Sequence, residues 1–356
     1  VVVKSGQLQS SSAQNVTQHL RPDGRLDWRV PDGTWQLFVF KQVPSDLVLT
    51  CGAGRGPQLV MDHFKRAALE AHTKRVFEAG RAQLAPFLGK TLTAYTVDSL
   101  ENASDLYWTD DLLAQFKRRR GYDLVPYLPL VFQPGWMAHP YQARVSAPQF
   151  DDAQIGERVR ADYRLTVSEL MIENMYEPFA AWAKKNGLHS EFQAHGAPVD
   201  ILKAYGTADV PESEDLHVGA DPYFLKLARS AADLYGREIV STESMIWDHG
   251  GPSLTPQDLK RRADELLSAG INRLRIDGFD PGPAVNSLPP EVAKLGAWLS
   301  SRNPAWANFE RPFVSYLQRA QSVLQQGKNV VPLAIFRSEL SYAPASATQE
   351  PKIEQP

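Results

Sequence analysis

Residues 238–277 read Glu238-Ile239-Val240-Ser241-Thr242-Glu243, then Thr255-Pro256-Gln257-Asp258 followed by Leu259, Ala263, Leu266 and Leu267, then Gly270, and finally Asn272-Arg273-Leu274-Arg275-Ile276-Asp277. The first run is β-branched and apolar and ends in an acid. Thr255 to Asp258 is a capping-box-like helix start with proline in the first turn. The four apolar residues fall on one helical face, and Gly270 supplies the stop before a second strand-like run. Strand, helix and strand at this spacing predict parallel strands joined by a crossover. The same alternation appears upstream. Leu92-Thr93-Ala94-Tyr95-Thr96-Val97 ends at Asp98-Ser99-Leu100-Glu101, and Leu188-His189-Ser190-Glu191-Phe192-Gln193 ends at Ala194-His195-Gly196. Val167, Leu170, Met171, Met175, Phe179 and Trp182 recur at steps of three and four, one apolar stripe on a long helix. No strand is followed by GxGxxG or GxxxxGK[ST], so a (β/α)8 TIM-like barrel fits this α/β pattern better than a doubly wound sheet. No internal repeat of fixed period is present.

Outside that pattern the chain changes character. Residues 1–25 are polar and turn-rich and read as an irregular lead-in. Trp28-Arg29-Val30 and the run from Trp35 to Phe40 flank Pro31-Asp32-Gly33 and read as two β-like runs around a turn. The barrel is expected over 26–328. A helix over 316–326 and one more strand over 330–336 follow, then a low-complexity tail over 343–356, read as disordered. Residues 329–356 therefore read as the truncated start of a following domain, and the chain as part of a longer multidomain protein.

The 356 residues carry 38 Lys+Arg against 41 Asp+Glu, a net charge of −3, so neither nucleic acid nor an anionic membrane surface is expected as the main partner. Apolar residues at 43% and charged residues at 22% make a core-forming chain. The single Cys51 excludes an internal disulfide framework and a thiolate zinc site. No run approaches the length of a membrane helix. The opening Val1-Val2-Val3-Lys4 has no initiator Met and does not read as a signal peptide. A periplasmic or extracellular bacterial location is expected, with the signal segment not present in this chain.

Barrel enzymes place reacting groups where strands end. The acids at such ends are Asp98, Glu101, Glu191, Glu212, Glu214, Glu243 and Asp277. Each alone can be a helix cap or a salt bridge at the rim; together they would converge on one mouth. Clustered carboxylates suit two kinds of chemistry: calcium binding by hard oxygen ligands, and glycoside hydrolysis by an acid and a second carboxylate. Tyr95, Trp108, Tyr205 and Trp247 lie near these acids and suit stacking on a sugar face, or ordinary core packing. His195 ends a strand and is read as binding substrate or metal, or as simply hydrogen-bonded. No HExxH or GxSxG supports zinc-peptidase or serine-hydrolase chemistry. Lys117-Arg118-Arg119-Arg120 reads as a solvated helix end.

The motifs form an ordered set that resembles the α-L-rhamnosidases of glycoside hydrolase family 106. They are Trp28-Arg29-Val30-Pro31-Asp32-Gly33-Thr34-Trp35; Asp98-Ser99-Leu100-Glu101; Trp108-Thr109; Arg120-Gly121-Tyr122-Asp123-Leu124; Gln193-Ala194-His195-Gly196-Ala197-Pro198; Asp209-Val210-Pro211-Glu212-Ser213-Glu214; Ser241-Thr242-Glu243; and Leu324-Gln325-Gln326-Gly327-Lys328. The resemblance implies a catalytic (β/α)8 barrel, inversion at the anomeric carbon, an active-site calcium and two catalytic glutamates. Carried over by motif, these glutamates are Glu101 and Glu243. The metal ligand is Glu214, with Glu212 as fallback and Glu191 as a further candidate. Asp98, Trp108, His195, Trp247 and Asp277 are the expected substrate-binding residues. Leu100 stands where much of the family has Trp, and Asp215-Leu216 where aromatics are usual, departures that bear on sugar specificity.

The implied reaction is exo-hydrolysis of terminal α-L-rhamnose from plant-type glycans or glycosides, with a carbohydrate as the only expected partner. Which glutamate is acid and which is base is left open. Two alternatives stand beside it: a retaining, β-galactosidase-like barrel glycosidase, and a non-catalytic carbohydrate-binding barrel.

Overall fold

The computed structural model describes residues 2–4, 12–45, 47–49, 56–100, 107–132, 152, 154–215, 222–245, 255–276 and 308–335. Its centre is a parallel sheet of β3 (Ala94–Val97), β4 (His189–Phe192), β5 (Val210–Glu214), β6 (Ser241–Ser244) and β7 (Arg273–Ile276), in that spatial order. Each strand is added beside its predecessor in sequence, and all four pairings are parallel. A doubly wound sheet would reverse direction at a switch point; among the described strands there is no reversal. The sheet also curls. Nη1 of Arg275 on β7 donates to the Thr96 hydroxyl on β3, 3.3 Å away across the concave face and past three intervening strands. The α/β class and the barrel-like winding are as expected; among the described residues the curled parallel sheet has five strands.

Before the sheet lie α1 (Arg66–Val76) and α2 (Arg81–Leu84). The crossover from β3 to β4 carries α3 (Leu112–Arg120), α4 (Leu128–Val131), α5 (Gly156–Met171) and α6 (Glu177–Lys185). Among the described residues each later crossover carries one helix: α7 (Ile201–Thr207), α8 (Pro222–Tyr235) and α9 (Pro256–Ser268); α10 (Glu310–Leu324) follows β7. Helix α9 starts as its sequence dictates. The Thr255 hydroxyl accepts from the Asp258 N–H, and the Asp258 carboxylate accepts from the Thr255 N–H. It stops at Gly270, whose φ of +95° is left-handed and whose missing Cβ would lie 2.5 Å from Arg229 Cγ.

The apolar stripe from Val167 to Trp182 runs through α5 and α6, but a π-helical turn, Ile172–Tyr176, separates them. Pro178 sits in the first turn of α6 and cannot donate to the carbonyl four residues back, which accounts for the widened turn. Both halves still bury their apolar side. Tyr163, Val167, Leu170, Met171, Tyr176 and Phe179 join Phe192 of β4 in the main core. On the other helices small residues (Ala228, Ala231 and Ala232 of α8, Ala263 of α9) are fully buried, as close helix–sheet packing requires.

Strand β5 has no apolar alternation, and Pro211 cannot donate to a ladder. Its pairing with β4 covers only two residue pairs. Side chains extend it: the Asp209 carboxylate accepts from the Ser190 N–H (2.9 Å) and hydroxyl (3.1 Å), while Ser190 Oγ accepts from the Asp209 N–H (3.0 Å).

Three expectations are corrected. Only Trp35–Leu37 (β2) of the two early β-like runs is a strand, and it pairs antiparallel with Val2–Lys4 (β1), inside the expected lead-in. Trp28-Arg29-Val30 is held by side chains instead: the Trp28 and Trp35 rings meet edge to face at 6.0 Å, and Trp35 Nε1 donates to Pro31 O at 3.0 Å. Residues 330–335 form no strand, because no sheet edge receives them and Val330 and Leu333 remain largely exposed; Phe336 and the tail 343–356 lie outside the described residues. Finally, the basic run ending α3 is not solvated throughout. Arg119 and Arg120 are mostly buried and ion-paired with Glu169 and Glu173, joining α3 to α5 and the π turn.

Candidate functional site

Alternation along the strands sends residues i and i+2 to the same face. On the concave face this brings together Thr96 of β3; Glu191, Gln193 and His195 on and after β4; Glu212 and Glu214 of β5; Ser241 and Glu243 of β6; and Arg273 and Arg275 of β7. Their polar atoms meet in two layers.

The lower layer is a charge-compensated floor. Arg273 pairs with Glu191, and Arg275 Nη2 lies 2.8 Å from Glu212 Oε1. The Glu191 and Glu212 carboxyls also hydrogen-bond to each other. Glu212 is fully buried, and burial, then the hydrogen bond and charge of Glu191, push it up to about 8 against the pull of Arg275 and Gln193. Burial opposes ionisation of Glu191 too, but the hydrogen bond with Glu212 and the Arg273 charge outweigh it and hold Glu191 below its ordinary value. Burial and the neighbouring carboxyl thus favour the protonated form of Glu212, while the hydrogen bond with Glu212 and the Arg273 charge favour the charged form of Glu191.

The upper layer lies toward the C-terminal ends of the strands. Glu243 is half-buried, and its Oε2 accepts from Gln193 Nε2 at 2.8 Å. The same Nε2 donates to Glu212 Oε1 at 2.9 Å, and Gln193 Oε1 accepts from the Ser99 N–H at 3.1 Å. His195 is buried with both ring nitrogens engaged: Nδ1 lies 2.9 Å from the Tyr205 hydroxyl and Nε2 2.7 Å from Glu214 Oε2. A proton on Nε2 satisfies both contacts. The Phe224 ring packs against His195 edge to face. Tyr205 lies in the core below this histidine, 1% exposed, and not at a sugar face.

Behind the sheet, Asp215 points away from the concave side. Its carboxylate is fully buried and paired with Arg262 of α9, through Nε at 2.9 Å and Nη2, and it accepts from the Met245 N–H at 3.2 Å. The Asp215 N–H donates to Glu243 O at 2.8 Å. Met245 has a φ of +66°, left-handed for a residue with a side chain, at the turn just after β6. Asp215 thus makes a buried ion pair that braces the strand end carrying Glu243.

Of the expected site residues, Glu191, His195, Glu212, Glu214 and Glu243 share this face. Asp98 is exposed at the end of β3, its carboxylate accepting from the Ser99 N–H at 2.9 Å. Trp108 packs edge to face on Phe132 and donates through Nε1 to Gln42 at 2.9 Å. Glu101, Trp247 and Asp277 lie outside the described residues. Sequence reasoning missed Gln193, Arg273 and Arg275. The signal for the arginines was present: a parallel-sheet strand is buried on both faces, and Arg-Leu-Arg-Ile breaks that rule at two positions on one side.

The expected calcium ligands do not form a cage. Among the described residues no group of three or more His, Cys, Asp or Glu side chains is arranged to hold a metal ion. Glu191 and Glu212 are committed to each other and to guanidinium groups, and Glu214 to His195. Among the described residues no helix is long and apolar enough to cross a membrane.

A family model described as alpha-L-rhamnosidase matches residues 2–355. A curated protein of Formosa agariphila named "Putative beta-glucuronidase" is 28% identical over 364 residues, covering all of this chain and 29% of that protein. A solved rhamnosidase structure from Novosphingobium sp. PP1Y superposes with a TM-score of 0.65 at 24% identity, covering 91% of this chain and 31% of that one, a likeness of fold. The chain spans about three tenths of the length of both.

Proposed function

The chain belongs to the α-L-rhamnosidase family, glycoside hydrolase family 106, and from that premise we propose that it is the catalytic portion of an inverting exo-glycosidase that releases terminal α-L-rhamnose from plant-type glycans or glycosides. In this reading Glu101 and Glu243 are the acid and base. The observation that carries it is the contrast among the acids of the concave face. Glu191 and Glu212 are buried and compensated, whereas Glu243, at the C-terminal end of β6, is accessible from the mouth. Barrel chemistry takes place at that end.

One glutamate protonates the glycosidic oxygen as the bond to C1 breaks. The other takes a proton from a water that attacks C1 from the opposite face. Room for that water requires carboxyl groups roughly 6.5–9.5 Å apart. Glu214, oriented by the buried His195, stands at the same strand ends and is suited to accept from sugar hydroxyls. Calcium is expected from the resemblance alone.

The test is release of p-nitrophenol from its α-L-rhamnopyranoside, with the first-formed anomer read by NMR. Inverted product supports the proposal; retained product would assign a retaining mechanism instead, which needs carboxyls only about 5–5.5 Å apart. A second reading is favoured by one observation. Arg273 and Arg275 remain 34% and 42% exposed beside the floor, so a sugar carboxylate could share their charge, as the name of the Formosa relative would suggest. The p-nitrophenyl β-D-glucuronide, assayed in parallel, separates the two.

A further inference from the structure

The turn that leaves β6 holds a residue in a conformation its side chain disfavours. Met245 is 1% exposed and has a φ of +66°, left-handed in a residue that carries a Cβ. Such a residue persists only where its surroundings over-determine it, and here three consecutive residues are tied to the chain on one side or the other. The Glu243 carbonyl accepts from the Asp215 N–H at 2.8 Å and, on its other lone pair, from the Thr242 hydroxyl at 2.9 Å. Ser244 Oγ donates to Arg275 O of β7 at 2.8 Å. The Met245 N–H donates to Asp215 Oδ2 at 3.2 Å. Asp215 therefore grips the chain on both sides of Ser244, once with its backbone and once with its side chain. Its carboxylate divides the work: Oδ2 faces Met245, while Oδ1 takes Nε of Arg262 at 2.9 Å and also its Nη2. The ion pair thus fixes the aim of the oxygen that holds the turn.

We propose that Asp215 is a positioning residue for Glu243: acting from the back of the sheet, it locks the left-handed turn at Met245 and so fixes the backbone from which the Glu243 side chain projects onto the concave face. This rests on Glu243 being one of the catalytic glutamates. Strand β6 ends at Ser244, the residue directly after Glu243. A strand end held by its ladder alone frays, and a carboxylate on a frayed end samples several directions. Catalysis needs that group held to a fraction of an ångström. The clamp carries fixed backbone one residue past the last ladder pair, Ser244 with Ile276. On the concave side the Glu243 carboxylate accepts from Gln193 Nε2 at 2.8 Å, so its head is held from the front and its backbone from behind. Asp215 points away from that face, so its effect passes through Glu243 and not through contact with a sugar.

Two variants separate the clamp from the ion pair in the protein as it exists. Asp215→Asn keeps an oxygen for the Met245 N–H and loses the charge. Asp215→Leu/Arg262→Met replaces the pair by apolar side chains, which can stand in for its contribution to stability, but offers the turn no acceptor. Hydrogen–deuterium exchange at the Met245 amide reads the clamp without reference to activity. It should quicken at least about tenfold in the double variant and stay close to wild type in Asp215→Asn. Unchanged exchange in the double variant overturns the clamp. On the p-nitrophenyl rhamnoside, well below the melting temperatures, kcat per folded molecule should fall roughly 10- to 100-fold in the double variant, the scale of a misplacement near 1 Å, with KM changed less than about threefold. Asp215→Asn should keep most of its kcat. A merely structural role would lower the folded fraction and leave kcat per folded molecule at the wild-type value in both variants, and that result overturns the proposal. An equal loss of kcat in Asp215→Asn would assign the effect to the charge and not to the turn, and overturns it as well. An inactive wild type with the expected exchange pattern would instead refute the catalytic reading of Glu243, and with it the positioning role.

Discussion

Arg262→Met should be one of the more damaging single changes behind the sheet, and more damaging than removing its partner. Asp215 is fully buried and Arg262 is 7% exposed. Without the guanidinium, the Asp215 carboxylate keeps only the Met245 N–H as a described donor, an uncompensated charge in the interior. Stranding one member of a buried pair costs about 3–5 kcal/mol. In Asp215→Asn the amide oxygen still accepts from Met245, and Arg262 keeps Glu265 at 2.8 Å, a half-exposed partner. A lost charge-assisted hydrogen bond of that kind costs about 1–3 kcal/mol. Differential scanning fluorimetry should therefore rank the variants, with Arg262→Met melting on the order of 10 °C below wild type and Asp215→Asn a few degrees below. The double change Asp215→Leu/Arg262→Met should recover part of the Arg262→Met loss, because apolar packing can replace a buried pair. Equal losses, or a larger one for Asp215→Asn, would refute the reasoning that the stranded carboxylate dominates. Since the Asp215 N–H also holds Glu243 O, kcat should fall with stability in Arg262→Met.

Glu243→Gln and Glu101→Gln should each abolish turnover of the rhamnoside while near-ultraviolet circular dichroism stays unchanged; near wild-type rates in both would end the assignment. Glu212 has its folded pKa raised to about 8 from an ordinary 4.5, so its contribution is fully present below about pH 4.5 and lost as pH rises through 8. Wild-type stability should thus decline between pH 5 and 8, by up to about 1.4 kcal/mol per pH unit, and Glu212→Gln should flatten that slope. Glu191 acts with the opposite sign and only below its ordinary value, outside this window. Denaturant midpoints in both proteins across the range decide it. Gly270→Ala forces a side chain into the left-handed region against Arg229, with an expected loss of about 1–2 kcal/mol in urea melts.

Strands β3, β4, β6 and β7 were legible because each carries an apolar run bounded by turn or cap residues. β5 was not. Val210-Pro211-Glu212-Ser213-Glu214 has the composition of a loop and becomes a strand only because arginines, a glutamine and a histidine from neighbouring strands satisfy its acids. Trp28-Arg29-Val30 failed the other way: local β preference without a ladder partner yielded to packing against Trp35. In the site, Glu243, Glu214 and His195 could be named from their places at strand ends. Gln193 could not, since one glutamine at a strand end carries no signal until the three groups it joins are brought together. Nor could the division of labour among the acids, which depends on which guanidinium each one meets across the sheet.

The stacking of a compensated floor beneath an accessible rim also separates what each strand must conserve from what it is free to vary. Glu191 and His195, Glu212 and Glu214, or Ser241 and Glu243 lie on or just past the same strands a few residues apart, yet under the proposed function the lower member answers to the fold and the upper to the sugar. Substitutions at the upper positions can redirect the enzyme toward a new glycan without disturbing the charge balance below. Substitutions in the floor must come in matched acid–arginine exchanges to be tolerated at all. Specificity in this scaffold should therefore evolve by single steps at the rim, and the floor should change slowly and in pairs.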